Sequence, residues 1–264
     1  MPDANFYKAC VPRSLRLPAF YNCGGRSDVL SVYRAVLERH HKDPANSYLA
    51  PEKLHALVDL DIQAAPLPEG YPWPTTEQVH AALYDDGVVK AMPDDRHRIW
   101  VTAFVHKEAF FILPSMSPCL SEGMLPFWNG MPLDLRAIHT ALAKGLAHDG
   151  DVCRHFDTVK RRVARFSAGL RLACTDAACL GESWIDDATS ANDDGYESLV
   201  KALLAVAKAK GRWNEVVPDP SYGSTMLAEN FRDQLALKIG RFVATLEPNA
   251  HPLAGFFASL VPHR

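Results

Sequence analysis

The chain has 264 residues, with 28 Lys and Arg against 31 Asp and Glu, a formal net charge of −3. Its 48% hydrophobic and 22% charged content is ordinary for a globular domain and excludes a chain that is basic throughout, though not a local basic surface. No apolar run reaches the roughly 18 residues of a membrane helix, and Met1-Pro2-Asp3-Ala4-Asn5 carries no signal-peptide pattern. Six Cys in this length do not make a disulfide scaffold, so the expectation is a reduced, cytoplasmic chain with no membrane partner.

Residues 5–16 read as a short strand stopped by Pro12. Asn22-Cys23-Gly24-Gly25 is a turn, and Ser27 caps a helix that Asp28 favours by its charge. Val29, Tyr33, Val36, Leu37 and His40 recur at helical spacing until Pro44 forbids continuation. Pro51 suits the first turn of a second helix carrying Leu54, Leu57 and Val58. The four prolines within residues 64–74 define an extended connector. Thr75 and Gln78 form a capping box for a helix running to about Gly87.

Residues 98–105 and 109–113 read as a central hairpin, apolar on both faces, turning at His106-Lys107-Glu108. Helices follow at 134–147, 154–172 and 196–210, the last ending at Gly211, and from Ser224 to Leu246. Residues 253–261 read as a final strand. This order gives an α+β protein with a large helical lobe. Residues 1–117 plus 250–264 form the sheet domain, with a helical insertion at 44–92. Residues 118–249 form the lobe.

The strongest charge signal lies in 154–171. Arg154, Lys160, Arg161, Arg162, Arg165 and Arg171 stand against Asp157 alone, six cations less one acid, or +5. Such a helix can lie along a phosphate backbone. It can equally be neutralised by the acid-rich stretch 176–197, read here as a loop. Arg39, His40 and His41 end the first helix, one turn and more beyond Tyr33. Histidine suits proton transfer near neutrality, so these four residues are the candidates for metal-independent RNA cleavage.

The strand near residues 6–11, the helix bearing His40 and His41, the hairpin and the basic run together resemble the CRISPR repeat-processing endoribonucleases, in particular their type IV branch. That resemblance implies a small ferredoxin-like (RRM-like) sheet, binding of hairpin or other structured RNA, and no cofactor. Asn22-Cys23-Gly24-Gly25 at a helix start, with His97 before a later strand, resembles papain-like cysteine hydrolases and makes Cys23 and His97 the alternative catalytic pair. Cys153-x-His155 with Cys174-x-x-x-x-Cys179 offers four zinc-type ligands. A non-catalytic helical adaptor with protein assembly partners is the third reading. Walker, dinucleotide and HExxH motifs are absent from the sequence.

Overall fold

The computed structural model describes residues 3–47, 49–85, 87–90, 98–121, 123, 125–167, 173–222 and 227–260. The first element is a helix, α1 (Asp3–Ala9), where the sequence reading placed a strand. Phe6, Tyr7, Cys10 and Val11 are buried along one helical face, with Asp3 at the positive end and Lys8 at the negative one. α1 packs on a helix near the other end of the chain, over Gly240, where a Cβ would stand 2.8 Å from that of Ala9. α2 (Arg26–Lys42) begins two residues before the expected Ser27. Its N-cap is Gly25, whose N–H donates to the Asp28 carboxylate at 3.0 Å. It stops before Pro44 as its sequence requires.

Pro51 starts only a 3-10 turn, and Leu57 and Val58 belong to strand β1 (Ala56–Val58) instead of a second helix. The short run fits both periods, and the parallel partner decides. α3 (Thr76–Leu83) has the expected capping box, Gln78 N–H to Thr75 Oγ1 at 3.3 Å and Thr75 N–H to Gln78 Oε1 at 3.1 Å. It ends earlier than expected, in a small antiparallel ribbon of β2 (Tyr84–Asp85) and β3 (Val88–Val89). β4 (Ile99–Val101) pairs parallel with β1, Ala56 opposite Ile99 and Val58 opposite Val101.

No 98–113 hairpin is found. Beyond β4 the chain leaves extended structure, and residues 107–112 coil into a 3-10 turn with Ala109, Phe110, Phe111 and Ile112 buried. A run apolar at every position carries no period to separate strand from tight helix. α4 (Ser117–Ser121) leads to β5 (Pro126–Trp128) and β6 (Met131–Pro132), joined by Asn129 and Gly130 at φ 52° and 76°. Asn-Gly is the strongest short hairpin signal, and the sequence reading passed over it.

α5 (Leu135–Gly145) is capped by Asp134 as its sequence suggests. The expected 154–172 helix is broken at His155 into α6 (Gly150–Arg154) and α7 (Phe156–Phe166). The acid-rich stretch is a pair of helices, α8 (Ala177–Ser190) and α9 (Asp193–Leu204), not a loop. Asp176 and Asn192 cap them, and Asp193 and Asp194 sit at the positive end of α9. Gly211 lies inside α10 (Ala209–Asn214) and ends nothing. β7 (Val217–Pro218) completes a three-stranded antiparallel sheet, β6-β5-β7. Then come α11 (Ala228–Val243) and α12 (Pro252–Leu260). Ser224, the expected cap, lies outside the described residues.

α12 replaces the expected terminal strand, burying Leu253, Ala254, Phe256 and Phe257. The described sheets have two, two and three strands, so the α+β class holds. The elements that suggested a ferredoxin-like sheet, namely the first strand, the hairpin and the last strand, are α1, an irregular 3-10 segment and α12. Among the described residues no helix is long and apolar enough to cross a membrane.

Candidate active site

Two parallel strands place their carboxyl ends side by side, the position where α/β proteins gather polar side chains. Thr102 extends that ladder. Its N–H donates to Val58 O at 2.9 Å, and its hydroxyl accepts Leu60 N–H at 2.9 Å and donates to Phe104 O at 2.7 Å. Val58 and Leu60 are buried, so Asp59 between them turns to the other side of the extended segment.

Around Asp59 stand Asp3 and Tyr7 of α1, Lys107 and Glu108 of the turn after β4, and Lys210 of α10. The Lys107 ammonium donates to the Asp3 carboxylate and lies 3.7 Å from Glu108 Oε1. Burial raises the Asp59 carboxyl to about 7, helped by the charges of Asp3 and Glu108 and opposed by Lys107 and Lys210. Burial, then Asp59 and Asp3, push the Tyr7 hydroxyl well up, so it stays neutral. Burial would lower Lys107, but its hydrogen bond to Asp3 outweighs this and the ammonium is retained.

His106 borders the cluster. Its Nδ1 is buried with no hydrogen-bond partner among the described residues, and burial lowers its pKa. Lys208, whose charge acts on His106, is held at 3.0 Å by Asp149 and 2.6 Å by Asp151. The arrangement can hold a proton near neutral pH, present a neutral hydroxyl and offer a fixed cation to developing negative charge. The sequence reading missed it. Val58-Asp59-Leu60-Asp61-Ile62, acids alternating with apolar residues at a strand end, is the signal that could have found it.

The sequence-derived candidates fall elsewhere. Tyr33 is buried and His40 half-buried on the inner face of α2, with His40 Nδ1 sealed and unpartnered, while Arg39 and His41 are exposed. Steps of about 100° around the helix separate the two pairs, so the four do not converge. Burial, with Tyr71 nearby, raises the Tyr33 hydroxyl to about 12.

On α7, Arg162 is fully buried. It donates from Nε to Glu77 Oε2 at 2.8 Å and from Nη2 to Asp61 O at 2.6 Å. Arg165 lies 3.5 Å from Glu77 Oε1 and donates to His80 Nδ1 at 3.2 Å. His80 therefore carries its proton on Nε2, facing Ala103 O at 3.2 Å, and burial lowers its pKa to about 3. Half of the expected basic face thus ties α7 to α3. Arg154 and Arg161 are exposed, and Lys160 is half-buried near the Phe156 ring. Arg171 and His97 lie outside the described residues.

The Cys23 thiol faces Tyr21 O at 4.0 Å, with no histidine hydrogen-bonded to it among the described residues. Cys153 points at Ala147 O at 3.6 Å, and no group of three or more metal-type ligands forms among the described residues, so the four candidate zinc ligands do not converge there. The molecule is a mixed helix-and-sheet protein with one convergent titratable cluster at a parallel strand end. No protein-family model matches the chain, and no curated protein or solved structure matches it.

Proposed function

We propose that the protein is a metal-independent acid–base enzyme whose reaction centre is Asp59 with Lys107 and Tyr7. The observation that carries this reading is the gathering of Asp3, Tyr7, Asp59, Lys107 and Glu108 at the carboxyl ends of β1 and β4. Asp59, poised near 7, takes the proton of an attacking hydroxyl or water and returns one to the leaving group. Lys107 steadies the developing negative charge, and Asp3 and Glu108 hold both groups in place. Transesterification of a phosphodiester needs these same parts.

Structured RNA is the first substrate class to try. Arg154 lies 3.6 Å from Asp151, whose other oxygen is held by Lys208 at the margin of His106. The exposed cations of α6 and α7 thus border the cluster.

The test is a panel of structured RNA and chromogenic phosphate and carboxylate esters, assayed in EDTA. Turnover should persist in EDTA and fall about 100-fold or more in Asp59→Asn, with circular dichroism unchanged. His40→Ala and His41→Ala should retain it. Failure to turn over any of these substrates, or full activity in Asp59→Asn, overturns the reading. For RNA, changing Arg154, Lys160 and Arg161 together to Gln should weaken binding and flatten its salt dependence by up to about three phosphate contacts. An unchanged slope removes RNA as the ligand of this face.

A further inference from the structure

Cys174 and Cys179 do not share a metal centre, yet the fold brings their side chains together. Cys179 sits in the first turn of α8, its N–H donating to Asp176 Oδ1 at 2.9 Å. Ser183 follows one turn later on the same face. The segment before the helix lays Cys174 against this face, its thiol within hydrogen-bonding reach of the Cys179 thiol and the Ser183 hydroxyl. The two sulfurs differ in access: Cys174 is 3% exposed, while Cys179 is partly open to solvent. The other four cysteines, Cys10, Cys23, Cys119 and Cys153, are reduced and belong to separate segments of the fold.

We propose that Cys174 and Cys179 form a reversible disulfide on exposure to hydrogen peroxide. The outer thiol is oxidised first: Cys179-SH and H2O2 give Cys179-SOH and water. The Cys174 sulfur then attacks the sulfenic sulfur, an S–S bond forms, the S–OH bond breaks, and the departing hydroxide takes the Cys174 proton as a second water. Overall, two thiols and one peroxide give one disulfide and two waters, the sulfurs losing the two electrons that the peroxide gains. Both thiols are poor proton donors at rest. Burial first, and the Cys179 thiol next, raise Cys174, so the pair persists as a dithiol until Cys179 is oxidised. The bridge staples the chain before α8 to a helix anchored on α5 and α9.

Both cysteines fall in the tryptic peptide 172–201, which has no internal Lys or Arg. The full chain is treated with peroxide, alkylated with N-ethylmaleimide, digested and weighed. The expected product is this peptide short of two hydrogens and free of maleimide, restored by dithiothreitol. In Cys174→Ser, Cys179 should stop at the sulfenic acid and be trapped by dimedone. Two alkylated cysteines after peroxide overturn the proposal. So does Cys179 sulfinic acid beside an alkylated Cys174 in the unaltered chain.

Discussion

A carboxyl whose proton affinity is raised by the fold opposes folding as it ionises, and Asp59 is such a group. Its pKa rises from the ordinary carboxylate range to about 7 in the folded chain. Its contribution to stability is therefore fully present below about pH 4 and is lost as pH rises through 7. Buried His80 and His139, lowered to about 3 and about 4 by burial, act in the opposite sense, losing their stabilisation as pH falls below the ordinary histidine range. Comparing Asp59→Asn with the unaltered chain cancels the histidines. The variant should match it near pH 4 and be more stable by about 2–4 kcal/mol at pH 8, read by urea unfolding at each pH. A constant difference across that range would remove Asp59 from the neutral region. Little of this was legible in the sequence. His40 and His41 drew attention because free imidazole titrates near neutrality, whereas Asp59 owes its value to Asp3 and Glu108, some fifty residues away on either side.

At the scale of elements, α3 and α7 are joined by a buried ion pair rather than by apolar packing alone. Arg162 meets Glu77 at 2.7 Å with its side chain fully withdrawn from water, and its remaining donors reach Asp61 O and Ala205 O. Glu77→Gln leaves that guanidinium buried without a counter-charge, which should cost about 3–5 kcal/mol. Arg161→Gln, on the exposed side of the same helix, should change stability by less than about 0.5 kcal/mol. Equal effects in denaturant melts would mean that Glu77 and Arg162 are not a buried pair in solution. Capping chemistry was the legible part: Thr75 with Gln78, Asp134 and the stop before Pro44 all act as their residue types demand. Runs apolar at every position were not legible. Residues 107–113 and 253–257 carry no period, and their conformation follows from neighbours distant in sequence. The acid-rich 176–197 misled for another reason, since Asp and Asn favour loops and helix starts alike, and here they cap α8 and α9.

Over the whole molecule, the two ends of the described chain lie in the core, and the candidate site depends on one of them. α1 supplies Asp3 and Tyr7, and its Phe6 stacks edge-on against Phe111 at 4.8 Å behind the Lys107 turn. At the other end, Phe256 meets Trp100 of β4 edge-on at 4.8 Å, and Phe257 packs beside Phe20. Trp100 lies in the strand whose carboxyl end carries Lys107, so α12 backs the scaffold of the site without touching it. Leu253, Phe256 and Phe257 are each at most 3% exposed, and burying such side chains contributes about 1.5–3 kcal/mol apiece, together roughly 5–9 kcal/mol. That is comparable with the whole stability of an ordinary domain, about 5–15 kcal/mol. A chain ending at residue 250 should therefore lose its cooperative thermal transition, bind the hydrophobic dye ANS and keep much of its far-ultraviolet helix signal. If α12 were an appendage, the shortened chain would still melt in one sharp transition within a few degrees of the full chain. Adding Trp100→Phe separates the two cases further. In the full chain it should lower the melting temperature through lost contact with Phe256, and an unchanged melting temperature would show that α12 does not seat on β4.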